Sequence, residues 1–319
     1  MSKENRYSNI EASVKNEASS YNINKVLVAL SGGADSVTCA FALKKIGLEI
    51  MALHCNFHLR GEESNRDMTF VRNFCNEQKI PLKEIEFDVE EYLKIHKGES
   101  LEMACRKLRH EWFDNQLNDL RYDRIVTGHN ADDNIETLFL NMLRGAGTRG
   151  LKGMLPDTGK IWRPLLSFFR KEILEYLQIN NLNFVVDSTN LKSDYRRNYL
   201  RNEIIPLMRN KWSGFDKAML HTLSHLKEEN KIVESSIDKI LSRNHSSIPV
   251  DEIMDFPAPL LLLKRFIDPL GPFVATPQEV LDAINANKPH IRKWRLKHGI
   301  LKLRNRRLFI EMSHCESGS

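Results

Sequence analysis

Short continuous apolar runs alternate along this chain with longer segments whose apolar residues recur every three or four positions. Val26-Leu27-Val28-Ala29-Leu30 is such a run, and its length and β-branched content predict a buried strand. The apolar stretch from Val37 to Leu43 then predicts the first turns of a helix. Glu49–His54 is a second strand, and residues 62–79 show helical spacing through Met68, Val71, Phe74 and Cys75. Lys83–Phe87 predicts a third strand, residues 98–120 a helix, Arg124–Gly128 a fourth strand and Ala131–Leu143 another helix. Repeated strand–helix units predict an α/β fold with a parallel twisted sheet and helices on both faces. Ligands of such sheets sit at the carboxyl ends of the strands.

Past Arg144 the pattern changes. Glycines at 145, 147, 150, 153 and 159 predict a mobile loop over the ligand edge. A helix at Arg170–Ile179, a short run Phe184-Val185-Val186 and a long connector helix at Phe215–Leu241 follow. The proline-studded remainder predicts a smaller, mainly helical unit. The pattern predicts a polar N-terminal extension at 1–24, a catalytic domain at 25–212, and a connector with a small basic domain at 213–319. There is no internal repeat.

The first strand and helix are joined by Ser31-Gly32-Gly33-Ala34-Asp35-Ser36. Two glycines let the backbone turn tightly and approach a ligand without a Cβ in the way. The unpaired N–H groups and the positive dipole end of the helix start favour an anion, and Ser31 and Ser36 add hydroxyls. The turn is built for phosphate. It lacks the lysine of a Gly-x4-Gly-Lys loop and the spacing of a Gly-x-Gly-x-x-Gly fingerprint, so neither of those nucleotide sites is expected.

Charged clusters fall on the same sheet edge. His54 ends the second strand and opens His54-Cys55-Asn56-Phe57-His58-Leu59-Arg60-Gly61-Glu62-Glu63. Arg106 and Arg109 lie one helical turn apart. Gly128-His129-Asn130-Ala131-Asp132-Asp133-Asn134-Ile135-Glu136-Thr137 leaves the fourth strand, so Asp133, Glu136 and Thr137 share a helical face. Taken singly, an aspartate at a helix start can be a cap and a lone histidine a satisfied core residue. Acids beside a phosphate site can also hold magnesium or an ammonium group, and arginines can grip a carboxylate or phosphates.

In combination these motifs are more specific. The loop Ser31–Ser36, His54-x-Asn56-x-x-Leu59-Arg60-Gly61-Glu62, Gly128-His129-x-x-Asp132-Asp133-x-x-Glu136-Thr137, the Arg144–Met154 glycine segment, Arg163-Pro164-Leu165 and Asp187-x-Thr189-Asn190 occur in order. Over about residues 24–210 the chain resembles the tRNA(Ile)-lysidine synthase family of the PP-loop ATP pyrophosphatases. The resemblance implies an adenine nucleotide α-hydrolase-like fold. It also implies a ligase that adenylates the wobble cytidine of the isoleucine tRNA with a CAU anticodon, using ATP, and replaces AMP with L-lysine to form lysidine. By the same resemblance, Ser31, Gly32, Gly33, Ala34, Asp35 and Ser36 hold the pyrophosphate. Asp35 supports Mg2+ and adenylation, and His54 and His129 lie at the nucleotide. Asp133 and Glu136 receive lysine's amino groups, Arg109 faces its carboxylate, and Arg201 belongs to the activated site. His110 and Asn130 depart from the residues common at their positions.

Composition narrows the partners. The 319 residues are 41% hydrophobic and 28% charged, with a net charge of +5, and no apolar run is long enough to span a membrane. Residues 288–307 hold nine Lys/Arg and no Asp or Glu, interleaved with His290, Trp294 and His298. A second basic run spans 192–211. Such blocks suit a polyanion, here tRNA. Cysteines at 39, 55, 75, 105 and 315 form no close pair, and with no secretory signal they predict reduced thiols and a cytoplasmic protein. A tRNA thiolase on the same loop is the alternative enzyme, and a non-catalytic nucleotide- or tRNA-binding protein the alternative class. The absence of Cys-x-x-Cys speaks against the first, the acid pair against the second. A homodimer is compatible with the sequence, which does not set the oligomeric state.

Overall fold

The computed structural model describes residues 3–186, 196–271, 277–286 and 292–313. They fall into two compact units, Met1–Lys227 and Glu228–Ser319. In the first unit the chain runs α1 (Lys3–Ser20), β1 (Lys25–Ala29), α2 (Ala34–Lys45), β2 (Glu49–Asn56), α3 (Glu62–Glu77) and β3 (Leu82–Glu86). Then come α4 (Val89–Ile95), α5 (Leu101–Leu120), β4 (Arg124–Val126), α6 (Ala131–Leu143), α7 (Thr148–Leu151), β5 (Ile161–Trp162) and α8 (Arg170–Ile179). After the undescribed 187–195 come α9 (Arg196–Tyr199), a π-helical turn at Leu200–Ile204, α10 (Ile205–Lys211) and the long α11 (Phe215–Leu241), through which the division between units passes.

The five strands form one parallel sheet in the order β3-β2-β1-β4-β5. From β1 the chain first builds outward through β2 and β3, then crosses to the other side of β1 for β4. That reversal opens a crevice beyond the carboxyl ends of β1 and β4, the place where open α/β sheets bind ligands. Val26, Val28, Cys39, Ala40, Leu43 and Ile173 pack one face, while Leu27, Leu53, Phe113 and Ile125 pack the other. Strands buried on both faces must be continuously apolar, which is why β1 was legible as Val-Leu-Val-Ala.

Two features differ from expectation. Residues 1–24 include a helix that belongs to the core: Ile10, Val14 and Ala18, spaced four apart, are buried on it. Glu17 accepts a hydrogen bond from Trp162 Nε1 at 3.0 Å, and Glu11 one from the Tyr176 hydroxyl at 2.8 Å. Three buried apolar positions among eighteen residues gave little periodic signal against α1's polar background. The glycine segment is also anchored rather than loose. Asn134 Oδ1 accepts from Met154 N at 2.8 Å, and Asn141 Nδ2 donates to Gly150 O at 2.8 Å. Gly153 (φ +68°) lies so close to Asn134 that a Cβ would come within 2.3 Å of its Oδ1.

The second unit holds the later turns of α11, the helices α12 (Val250–Met254), α13 (Pro259–Ile267) and α14 (Pro277–Asn285), and four antiparallel strands. The strands β6 (Ser247–Pro249), β7 (Arg292–Leu296), β8 (Gly299–Arg304) and β9 (Arg307–Met312) are ordered β6-β9-β8-β7. Ile237, Ile248, Leu262, Phe266, Leu301 and Leu308 form its core. The sheet qualifies the mainly helical expectation. In β7, Trp294 and Leu296 pack toward that core while Lys293 and Arg295 are exposed. The alternation is that of a half-buried strand, hidden in the sequence by the density of charge.

Candidate active site

The phosphate turn leaves β1 where Leu30 N still bonds to Leu53 O at 2.9 Å. Gly32 adopts φ +85°, a conformation that disfavours side chains, and its carbonyl accepts from Val185 N at 2.9 Å. Gly33 occupies the N-cap of α2 and offers no side-chain cap, so the first N–H groups of α2 keep no capping side chain of their own. Ser36 braces the turn: its hydroxyl donates to Gly33 O at 2.9 Å and accepts from Ser31 N at 3.2 Å. Ser31 Oγ lies 3.2 Å from Ser36 Oγ, and Ala34 is fully buried beneath the turn.

His54 is buried and its Nδ1 lies 2.8 Å from Leu30 O. A carbonyl can only accept, so Nδ1 carries the proton and the imidazole braces the end of β1. Gly128, at the end of β4, supports the turn from the other side. A Cβ there would stand 2.9 Å from the carbonyl carbon of Asp35 and 3.0 Å from Ser36 N. His129 follows, with Nδ1 2.9 Å from the Thr127 hydroxyl. Burial, then the charges of Arg163, Arg197 and Arg106, lower its pKa to about 4, so its imidazole is neutral at pH 7.

Asp35 points into the same crevice, with Asn130 Nδ2 on its Oδ1 at 3.1 Å and Arg170 Nη1 on its Oδ2. Asn130 is also the N-cap of α6, in a capping box with Asp133. One departure from the common pattern therefore links the helix start to the phosphate turn. Arg170, the first residue of α8, carried no local signal of a role because it reaches the crevice only through the fold.

Asp133 and Glu136 meet on the crevice side of α6. Asp133 Oδ2 closes the capping box, accepting from Asn130 N at 3.1 Å, which leaves Oδ1 toward the crevice. Glu136 is 1% exposed. Two arginines close on the pair: Arg201 donates through Nε to Glu136 Oε1 at 2.6 Å and through Nη2 to Asp133 Oδ1 at 2.9 Å. Arg197 donates through Nε to Glu136 Oε2 at 2.7 Å and through Nη2 to Asp133 Oδ1 at 3.3 Å. Burial first, and the neighbouring Glu136 charge second, raise the Asp133 pKa to about 6 against the pull of both arginines. The pair is a ready acceptor for planar or tetrahedral cations.

Other predicted residues have other surroundings. Asp132 accepts from Arg170 N at 2.7 Å and from Arg209 Nη2 at 2.6 Å, so it fastens α8 and α10 to α6. Thr137 donates to its own helix at Asp133 O. Arg109 is exposed on α5 with its guanidinium 5.3 Å from the centre of the Phe57 ring, which itself stacks on Phe87. Arg60 pairs with the buried Asp67 at 2.9 Å, holding the segment after β2. The Asp187–Asn190 motif lies outside the described residues, as do Lys192, Lys288, His290 and Cys315.

The four described cysteines sit apart on α2, β2, α3 and α5. Burial pushes Cys55 up to about 12 and Cys75 to about 11, and raises Cys39 and Cys105 as well. Thiols so placed are poor nucleophiles. Among the described residues, no helix is long and apolar enough to cross a membrane.

A PP-loop domain model matches residues 6–208. A tRNA(Ile)-lysidine synthase of Bacteroides thetaiotaomicron is 42% identical over 250 residues, covering 78% of this chain and 58% of that protein. The Porphyromonas gingivalis W83 protein of the same name is 37% identical over 291 residues (90% and 64%), and that of Chlorobaculum tepidum 36% over 226 residues (70% and 67%). The chain thus spans 58% and 64% of the first two of these relatives. Among solved structures, the U34-tRNA thiolase NcsA from Methanococcus maripaludis, with its [4Fe-4S] cluster, superposes with a TM-score of 0.57 at 20% identity. It covers 72% of this chain and 82% of that one, a likeness of fold.

Proposed function

The chain belongs to the PP-loop family and, within it, to the tRNA(Ile)-lysidine synthases, and on that footing we propose that it joins L-lysine to tRNA. The reaction is ATP-dependent transfer of the lysine ε-amine to C-2 of the wobble cytidine of tRNA(Ile) with a CAU anticodon. It proceeds through an adenylated base and releases pyrophosphate, then AMP. The observation that carries this reading is the acid pair of Asp133 and Glu136, held in the crevice of a phosphate turn and fitted to cations. Phosphate binding alone has no use for such a pair.

The N–H groups at the start of α2 face the charge that develops on pyrophosphate as the base attacks the α-phosphate. Among the described residues no three His, Cys, Asp or Glu side chains gather into a metal cage. That suits magnesium, which takes one or two carboxylates and completes its shell with phosphate oxygens and water. Asp35 would supply that carboxylate, on release from Arg170. Magnesium would contribute charge neutralisation on the phosphates.

For the second step the ε-ammonium of lysine replaces a guanidinium on the acid pair, and Arg109 takes its carboxylate. The attacking amine must lose a proton. Asp133, raised to about 6, is a stronger base than an ordinary carboxylate and stands in the pair that binds it. The pH dependence has a definite sign. Above about pH 6 Asp133 is ionised and binds the ammonium; below it the carboxyl is neutral and the attraction is lost. The lysine KM therefore rises as pH falls from 7 to 5, and Asp133→Asn gives a high KM with a flat profile. Steady-state kinetics across that range, with tRNA saturating, check this.

The second unit meets the tRNA body. Lys293 and Arg295 lie on the outer face of β7, an edge strand, and Arg292 is its first residue. Replacing all three with glutamine weakens tRNA binding by at least about tenfold at low salt, flattens its salt dependence and leaves ATP affinity unchanged. Filter binding at several salt concentrations measures both quantities. We place the reaction in the cytoplasm, where tRNA and ATP are at hand. Release of AMP and pyrophosphate that requires both lysine and the tRNA tests the proposal as a whole. ATP bound unchanged in the presence of all substrates would favour a non-catalytic binder.

A further inference from the structure

Beside the phosphate turn lies a group of cations to which no role has been given. Thr127 N bonds to Trp162 O at 3.1 Å, so Arg163 sits next to the Thr127-Gly128-His129 segment that supports the turn. Its Nη1 donates to Leu155 O at 2.9 Å, which aims the guanidinium, while its Nε is buried without a hydrogen-bond partner. The charge of Arg106, on α5, weighs against that of Arg163 while the charge of Asp157 weighs for it, and both arginines act on the neutral His129. Neither Arg106 nor Arg163 is in an ion pair among the described residues. By contrast Arg170 has Asp35, Arg209 has Asp132, and Arg197 and Arg201 have the acid pair, while Arg109 rests over the Phe57 ring. Gathering unpaired cations costs stability, so an arriving anion is the natural complement.

Three anions enter the reaction set out above. The β- and γ-phosphates of ATP have the N–H groups of the turn, and the lysine carboxylate has Arg109 on the next turn of α5. The third is the RNA backbone. A base whose C-2 oxygen reaches the α-phosphate carries a phosphodiester one ribose away, and it must be held still while the base is activated. A partly buried guanidinium, with the charge of a second one acting on it, matches a phosphate's paired oxygens. We propose that Arg163 and Arg106, flanked by His129, form a phosphodiester subsite that grips the RNA backbone beside the wobble cytidine. The subsite positions the base; it takes no part in bond making. This rests on the reading of tRNA as the substrate.

The test is a double-mutant cycle between protein and RNA, measured by fluorescence anisotropy with the full chain. The RNAs are the CAU anticodon stem-loop of tRNA(Ile), unmodified or with one uncharged methylphosphonate 5′ or 3′ of the wobble cytidine. Arg163→Gln and the exposed-face variant Arg106→Gln are each expected to weaken the unmodified stem-loop by about tenfold, the scale of one charge-assisted contact. One of the two methylphosphonates should weaken wild-type binding similarly and cost the variants nothing more, because the same contact is already lost. ATP affinity should stay at the wild-type value. Additive losses with both methylphosphonates overturn the subsite. A fall in ATP affinity instead assigns the cluster to the nucleotide, and a rise confined to the lysine KM assigns it to the amino acid; either overturns it. Wild-type protein that binds full-length tRNA(Ile) but no stem-loop overturns the subsite, and wild-type protein that binds neither removes the tRNA reading itself.

Discussion

Glu136→Gln is expected to lower lysine transfer by at least about a hundredfold while leaving the first half-reaction measurable. Glu136 is the most deeply buried acid of the crevice, and both of its oxygens accept from arginine, at 2.6 and 2.7 Å. An amide in its place turns an NH2 group toward two guanidinium groups and halves the negative charge that a lysine ammonium would meet. Loss of a hydrogen bond to a charged group is worth about 1.5–3 kcal/mol, whose upper end sets the hundredfold scale. Folding also suffers. Breaking a fully buried pair costs about 3–5 kcal/mol, but Arg197 and Arg201 are 41% and 36% exposed, so about 2 kcal/mol is expected. Pyrophosphate release with tRNA and ATP but no lysine reports the first half-reaction, and thermal unfolding reports stability. An unchanged lysine KM in this variant would remove Glu136 from the amine site.

The second large effect belongs to a glycine. In Gly128→Ala the new Cβ would press on the carbonyl carbon of Asp35 at 2.9 Å and on Ser36 N at 3.0 Å. These are atoms of the phosphate turn and its helix start, which cannot swing aside as a side-chain tip can. The start of α2 must shift by several tenths of an ångström, enough to misdirect N–H groups whose hydrogen bonds weaken steeply with geometry. ATP binding is expected to weaken by about tenfold, or about 1.4 kcal/mol, with tRNA affinity little changed. Isothermal titration with a non-hydrolysable ATP analogue measures this. Wild-type affinity would mean that the turn does not hold the nucleotide.

These two residues also show how far the sequence could be read. Gly128 and Glu136 stand in one motif whose spacing placed it between a strand and a helix, and α6 runs from Ala131 to Leu143 as that spacing predicts. The sheet was legible wherever burial on both faces demanded unbroken apolar runs. It was illegible at β5, where two residues, Ile161 and Trp162, carry no period of their own. Helix α1 escaped because its buried residues are few and its ties to Trp162 and Tyr176 cross more than a hundred residues of chain. The same limit applies to the site. Local spacing identified the acids, but the guanidinium groups that fill them reach across 61 and 65 residues, and Arg170 reaches Asp35 across 135. Pairings of that range depend on topology. Asn130 could be read only as a departure from a pattern; its bonds to Asp133 and Asp35 give it a place in the site.

The arginines on the acid pair give the proposed reaction an order. Lysine meets a site already occupied by Arg197 and Arg201, so its binding is a displacement, favoured once those arginines have another anion to turn to. An adenylated tRNA brings such anions into the crevice. Lysine affinity should accordingly be low in the free protein and rise with the activated tRNA in place.

The most direct measurement follows the lysine itself. Labelled lysine, ATP, magnesium and unmodified tRNA(Ile) with a CAU anticodon are incubated with the protein, and the tRNA is digested to nucleosides for mass spectrometry. The site described here predicts the label in a lysidine nucleoside at the wobble position, dependent on ATP and formed far more slowly with Glu136→Gln. A wobble cytidine that stays unmodified, or one that gains sulfur instead of lysine, would contradict it.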